Sequence, residues 1–154
     1  MTEQLALQDQ IPGNHCFGCG PHNDRGLRIK SYWSDGDSSR CEFLPQPHHS
    51  AGPVQYLNGG IIATVIDCHT ICTAIADGYR QAGRAVGSGD KIWYATGKLE
   101  VNYRAPAAID KPAMLEAIII ERSERKTLLH CTLNSDGRVC ATAEVVAVRV
   151  PDNW

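Results

Sequence analysis

Between Ile61 and Ala76 nearly every residue is apolar or small. At helical spacing such a run has no clearly solvated face, so the rest of the chain has to fold around it. The run opens on Asn58-Gly59-Gly60 and carries a lone carboxylate, Asp67. An ionised aspartate inside a buried helix is costly unless something stabilises it or uses it. The two glycines bring bare backbone N–H groups to the positive end of the helix, where an oxyanion can be held. An oxyanion-binding turn and a carboxylate on one buried helix point to acyl chemistry.

With 154 residues and 43% hydrophobic content, the chain reads as one domain over 1–154, residues 1–25 being an N-terminal arm and loop. A net charge of −2 gives no case for nucleic acid or for an anionic membrane as partner. The segment Met1 to Gln10 is short, polar and mildly acidic, unlike a signal or transit peptide. Asp67, His69 and three threonines interrupt the apolar run, so it does not read as membrane-spanning, and a cytoplasmic protein is expected. Seven cysteines without a secretion signal are expected to stay thiols; Cys68, Cys72, Cys131 and Cys140 read as packing.

Turn and strand signals organise the remainder. Ile11 to Arg25 is rich in Gly, Pro, Asn, His and Cys and predicts a structured loop. Gly26 to Trp33 and Ser39 to Leu44 predict a strand pair around Ser34-Asp35-Gly36-Asp37. A proline-rich loop from Pro45 to Leu57 leads into the helix, which should end near Asp77-Gly78. Gln81 to Lys91 reads as a flexible connection. Leu99, Val101 and Tyr103 alternate with polar neighbours as in a half-buried strand that Pro106 ends. Met114 to Arg122 is a second strand, whose Ile118-Ile119-Ile120 run suggests burial on both faces. Lys126 to Asn134 and Arg138 to Val150 are joined by the hairpin signal Ser135-Asp136-Gly137. The expected class is therefore α+β, an antiparallel sheet wrapped around one long central helix.

Several of these features occur together in one family. Asn58-Gly59-Gly60 followed by Asp67, the strand Leu99 to Pro106 and the hairpin with Asp136-Gly137 and Ala141 resemble the hotdog-fold acyl-CoA thioesterases of the PaaI-like, 4-hydroxybenzoyl-CoA thioesterase superfamily. Cys16-Phe17-Gly18-Cys19-Gly20 with Gly26-Leu27 resembles an N-terminal element of one branch of that family. The similarity spans roughly residues 16 to 148.

The resemblance implies hydrolysis of an acyl-CoA thioester, with CoA thioester as substrate and no cofactor. The N–H of Gly59, or of Gly60, would polarise the thioester carbonyl, and Asp67 would act as general base or nucleophile. Gly59 and Asp67 lie roughly 12 Å apart along one helix, too far to meet one carbonyl. Family dimers pair the glycine turn of one subunit with the carboxylate of the other, so a homodimer or a dimer of dimers is expected. Thr96 falls where relatives often place a hydroxyl that orients the water or the carboxylate. The family usually has His before the glycines. Asn58 keeps a donor and an acceptor there but cannot titrate. His49 and His69 are candidate substrate contacts, and Arg104, Arg122, Arg125 and Lys126 are candidates for the CoA phosphates.

Each residue has a plainer role to set beside this one. Asp67 could be a satisfied core carboxylate, the glycine pair a close-packing device and Thr96 an ordinary strand former. His69 lies about 200° around the helix from Asp67 and fits a structural core histidine; His48-His49 fits a solvated loop. His15, Cys16, Cys19 and His22 offer ligands within eight residues, but no second Cys-x2-Cys or His-x3-His pair accompanies them, so no metal is expected. A hotdog hydratase or dehydratase, and a non-catalytic acyl-CoA-binding dimer, are the alternative functions.

Overall fold

The computed structural model describes residues 3–154; the first two residues of the arm expected at Met1 to Gln10 lie outside them. Six strands form one antiparallel sheet: β1 (Ser31–Trp33), β2 (Ser38–Phe43), β3 (Tyr94–Tyr103), β4 (Ala113–Arg122), β5 (Lys126–Ser135) and β6 (Arg138–Arg149). Their spatial order is β1-β2-β4-β5-β6-β3, so β3 ends the sheet and one of its edges has no partner strand among the described residues. A single long helix, α1 (Gly59–Gln81), connects β2 to β3 and lies against all six strands. This is the expected α+β arrangement.

One face of the sheet meets α1. Val65, Ile66 and Ile75 of the helix, and Leu129, Leu133 and Val145 of the sheet, are fully buried there. By length and composition α1 could cross a membrane, yet most of its residues are buried within the protein. It runs past Gly78, which lies so close to Ile92 and Tyr94 that a Cβ would crowd both, and caps at Ala82. The earlier end expected at Asp77-Gly78 is therefore corrected: that glycine is there for packing.

Two other expectations change. β1 begins only at Ser31, because Leu27 and Ile29 donate their N–H groups to the carbonyls of Phe17 and Gly18 in the N-terminal loop. Burial of the Ile118-Ile119-Ile120 run on both faces is not found in the chain. Ile119 is buried against the helix, while Ile118 and Ile120 point outward and are 44% and 49% exposed. A single helix covers only one face of an antiparallel sheet, and alternation follows.

Beneath β1 and β2 the core is polar. His69 Nδ1 lies 2.7 Å from Ser31 Oγ, and its Nε2 lies 3.3 Å from Ser39 Oγ. Gln8 donates to Ser31 Oγ and accepts from the Ser31 N–H, and Ser39 bonds Thr73. Every side chain of this network has a partner, which is what burial of polar groups demands.

Candidate active site

Asn58 caps α1. Its backbone is extended, and its side-chain oxygen accepts from the Ile61 N–H at 3.1 Å. The carbonyl of Asn58 receives the Ile62 N–H. The N–H groups of Gly59 and Gly60 are left without a hydrogen-bond partner among the described residues, and both point out of the positive end of the helix. Close packing does not explain the first glycine: a Cβ on Gly59 would meet only the Tyr103 ring, at an ordinary 3.6 Å. Tyr103 also donates its hydroxyl to the Gly59 carbonyl at 2.6 Å, tying the helix start to the end of β3.

Two turns further along, Asp67 faces the other end of the same strand. Thr96 donates its hydroxyl to Asp67 Oδ1 at 2.6 Å, and Oδ2 has no partner among the described residues. Thr96 and Tyr103 are an odd number of residues apart, so on a regular strand their side chains would point to opposite faces. Both reach α1 because the β3–β6 register slips between Thr96 and Lys98. Gly97 occupies this bulge. A Cβ there would stand 2.5 Å from Val148 Cγ2, so the close approach requires glycine.

The carboxylate lines a cleft of about 240 Å³. Its walls are apolar and sulfur-rich: Ile71 and Ile75 of the helix, Trp93 and Tyr94 leading into β3, and Cys16, Cys19, Cys68 and Cys72. Burial raises the pKa of Asp67 above the ordinary carboxylate value, and the Thr96 hydrogen bond offsets this only in part. A half-buried carboxylate with one oxygen oriented and one open can accept a proton from a water molecule or attack an electrophile.

No family model and no curated protein matches the sequence. Solved structures do. A thioesterase superfamily protein from Shewanella loihica PV-4 is 29% identical over 90% of this chain and 96% of its own length, with a TM-score of 0.65. The chain has the hotdog fold of these thioesterase-superfamily structures. The same fold appears at lower identity in a mutant thioesterase from Pseudomonas aeruginosa (14%, covering 81% of this chain and 83% of that one, TM-score 0.66). It appears again in thioesterase superfamily member 2 from Mus musculus (16%, covering 81% and 85%, TM-score 0.62).

Within this hotdog protein the remaining candidate residues part company. His69 is not at the cleft; it is fully buried in the polar network under β1 and β2, and burial lowers its pKa to about 4. The 200° turn of the helix between positions 67 and 69 is the reason. His49 is likewise turned inward. Its ring stacks on Phe43, its Nδ1 accepts from the Gln46 N–H, and its carbonyl receives the Asn58 N–H. It supports the helix start through its backbone carbonyl and braces the Gln46 turn with its ring.

Arg122 is also corrected as a phosphate contact. It is bound to both oxygens of Asp77 and to Asp37 near the C-terminal end of α1. Arg125 and Lys126 form the exposed β4–β5 turn. Arg104 follows β3, near the glycine turn, with its Nε on Thr142 Oγ1 at 3.3 Å. Sequence reading missed the bulge at Gly97, although an isolated glycine inside a strand pattern is its ordinary signal. It also missed Trp93 and Asn14, which line the cleft: Asn14 from the segment read as a structured loop, Trp93 from a stretch given no element.

Proposed function

We propose that this protein hydrolyses acyl-CoA thioesters, with Asp67 as general base or nucleophile and the Gly59 N–H as oxyanion donor. The observation that carries this reading is the pairing along β3: the free N–H groups sit by Tyr103 at one end, and the open carboxylate by Thr96 at the other. The helix and β3 run antiparallel, and the outer edge of β3 has no partner strand among the described residues. A second copy that pairs β3 with β3 about a two-fold axis brings the Tyr103 end of one strand to the Thr96 end of the other. Gly59 of one subunit then approaches Asp67 of its partner, which one chain alone cannot achieve over roughly 12 Å of helix.

In such a dimer the thioester carbonyl accepts from Gly59 while Asp67 takes a proton from water. The water oxygen bonds to the carbonyl carbon, and the oxyanion of the tetrahedral intermediate rests on the glycine N–H. Its collapse breaks the C–S bond and releases CoA thiolate, which is then protonated. One such donor is typically worth roughly 3 kcal/mol. Thr96 holds the carboxylate so that the open oxygen faces the water. Asn58 caps the helix and leaves both glycine N–H groups available, a role that needs no titratable side chain. Arg104, close to the glycine turn, and the Arg125-Lys126 turn are the cations left for the CoA phosphates.

Steady-state hydrolysis of a panel of short, medium, long-chain and aryl-CoA thioesters tests the activity. A mixing experiment tests the shared site. Asp67→Asn and Gly59→Val are each expected to be inactive, and their co-refolded mixture to recover about a quarter of wild-type activity, because each hybrid dimer keeps one intact site. Absence of turnover across the panel sinks the hydrolase reading; turnover without recovery on mixing sinks the shared site.

A further inference from the structure

Four cysteines converge from two segments of the chain. The loop supplies Cys16-x2-Cys19, and one face of α1 supplies Cys68-x3-Cys72. The helical pair has neither of the spacings weighed in the sequence, where both residues read as packing. Cys16 Sγ lies 3.6 Å from Cys68 Sγ, and Cys19 Sγ lies 3.6 Å from Cys72 Sγ. The sulfurs of Cys16, Cys19 and Cys68 all lie within 4.8 Å of one another. None is in a disulfide, whose sulfurs stand about 2.05 Å apart. In a tetrahedral shell with Zn–S near 2.3 Å all six sulfur separations are about 3.8 Å. The two pairs at 3.6 Å meet this, and Cys72 Sγ, which lies outside the group of three, has to move inward to complete the shell.

The loop is shaped around these sulfurs. A Cβ on Gly18 would fall 2.2 Å from Cys68 Sγ, and one on Gly20 would fall 2.4 Å from the Cys16 nitrogen, so only glycine lets the chain close on the cluster. The Gly20 N–H returns to the Cys16 carbonyl at 2.8 Å, making the tight turn that brings both loop thiols to one side. Asn14 donates its amide Nδ2 to Cys19 Sγ at 3.6 Å, the kind of outer-shell contact that orients a thiolate ligand. Cys19, Cys68 and Cys72 are buried while Cys16 is exposed, which leaves a path for an ion to enter. His15 and His22 take no part; their rings tilt against each other at 5.4 Å between centroids.

We propose that Cys16, Cys19, Cys68 and Cys72 bind one Zn²⁺ in a closed four-thiolate shell. Binding displaces the thiol protons and forms four Zn–S bonds, with no redox change. A full shell leaves no open position for substrate, so the ion is structural. It fastens the loop that carries Asn14 and Cys16 to the helix turn that carries Asp67, and so holds together two walls of the cleft.

Metal analysis of the full chain, purified from ordinary medium without chelator, tests this. About one zinc per chain is expected. Chelation should lower the melting temperature and expose four thiols to a thiol reagent, and added ZnCl₂ should reverse both. Cys16→Ser and Cys72→Ser should lose the zinc, and Cys140→Ala, whose Sγ donates to the Pro106 and Arg138 carbonyls, should keep it. Should the serine variants fail to fold, Co²⁺ loaded into the wild-type chain must give thiolate charge-transfer bands and tetrahedral d–d bands. A chain that contains no zinc and takes up neither metal overturns the proposal. So does iron with acid-labile sulfide, a Cys16–Cys68 disulfide by mass, or zinc retained by Cys72→Ser.

Discussion

Asp67 and Asp77 stand on the same helix, and their surroundings treat them in opposite ways. At Asp77 burial alone would raise the pKa, but Arg122 and Arg80 hydrogen-bond both oxygens and bring it below the ordinary value. At Asp67 burial wins, because a neutral Thr96 hydroxyl is its only partner among the described residues and it holds one oxygen. His69, between them, is buried more deeply than either, and both its ring nitrogens are occupied. The fold finishes Asp77 and His69 and leaves Asp67 unfinished. A finished group contributes to stability; a buried group with an open lone pair costs stability and is available for chemistry.

Exchanging each carboxylate for its amide separates these roles most sharply. Asp67→Asn is expected to lower kcat/KM by roughly a hundredfold or more while leaving the melting temperature unchanged or higher. Comparable loss of activity and stability together would mean that Asp67 is a structural carboxylate. Asp77→Asn should do the reverse. It leaves Arg122 with Asp37 as its remaining carboxylate, and since that guanidinium is 31% exposed the loss is about 2 kcal/mol in urea unfolding, below that of a fully buried pair. Turnover per folded molecule should hardly change.

Acid sharpens the contrast. A carboxylate whose folded pKa is lowered contributes stability above its unfolded value of 3.8 and loses it as the pH falls through the folded value. Urea midpoints are therefore expected to drop below about pH 4, and Asp77→Asn should flatten part of that slope. Asp37, lowered chiefly by its Arg122 hydrogen bond, supplies another part. A slope identical in the variant would remove Asp77 from the account. The smallest expected effect is at Thr96. Thr96→Val removes a hydrogen bond to a charged group, worth about 1.5 kcal/mol, and should reduce kcat roughly tenfold with Thr96→Ser restoring most of it.

Much of the fold was legible because its signals are local. The apolar period of α1, the glycines before it and the Asp136-Gly137 turn each declare themselves within a few residues. Asp67 and the glycine turn were legible as candidates for the same reason, since an unpaired charge in an apolar run is visible in sequence. Thr96 was legible only through family resemblance; its contact with Asp67 depends on a register slip that periodicity alone would have excluded. Arg122 and His49 were misjudged because charge and residue type say nothing about which partner a side chain finds across the sheet. Cys68 and Cys72 were read as packing because their partners lie about fifty residues earlier.

By itself, then, the sequence determined that a buried helix with a free N-terminal turn and one carboxylate would be wrapped by an antiparallel sheet. That follows from period, capping and the cost of an isolated charge, all of which act over one or two helical turns. Tertiary structure alone decided which carboxylate would be neutralised by arginines and which left open, which strand would hold both ends of the site, and that two separate cysteine pairs would meet. Those outcomes depend on strand register and on contacts between distant segments, where a shift of one residue sends every side chain to the opposite face.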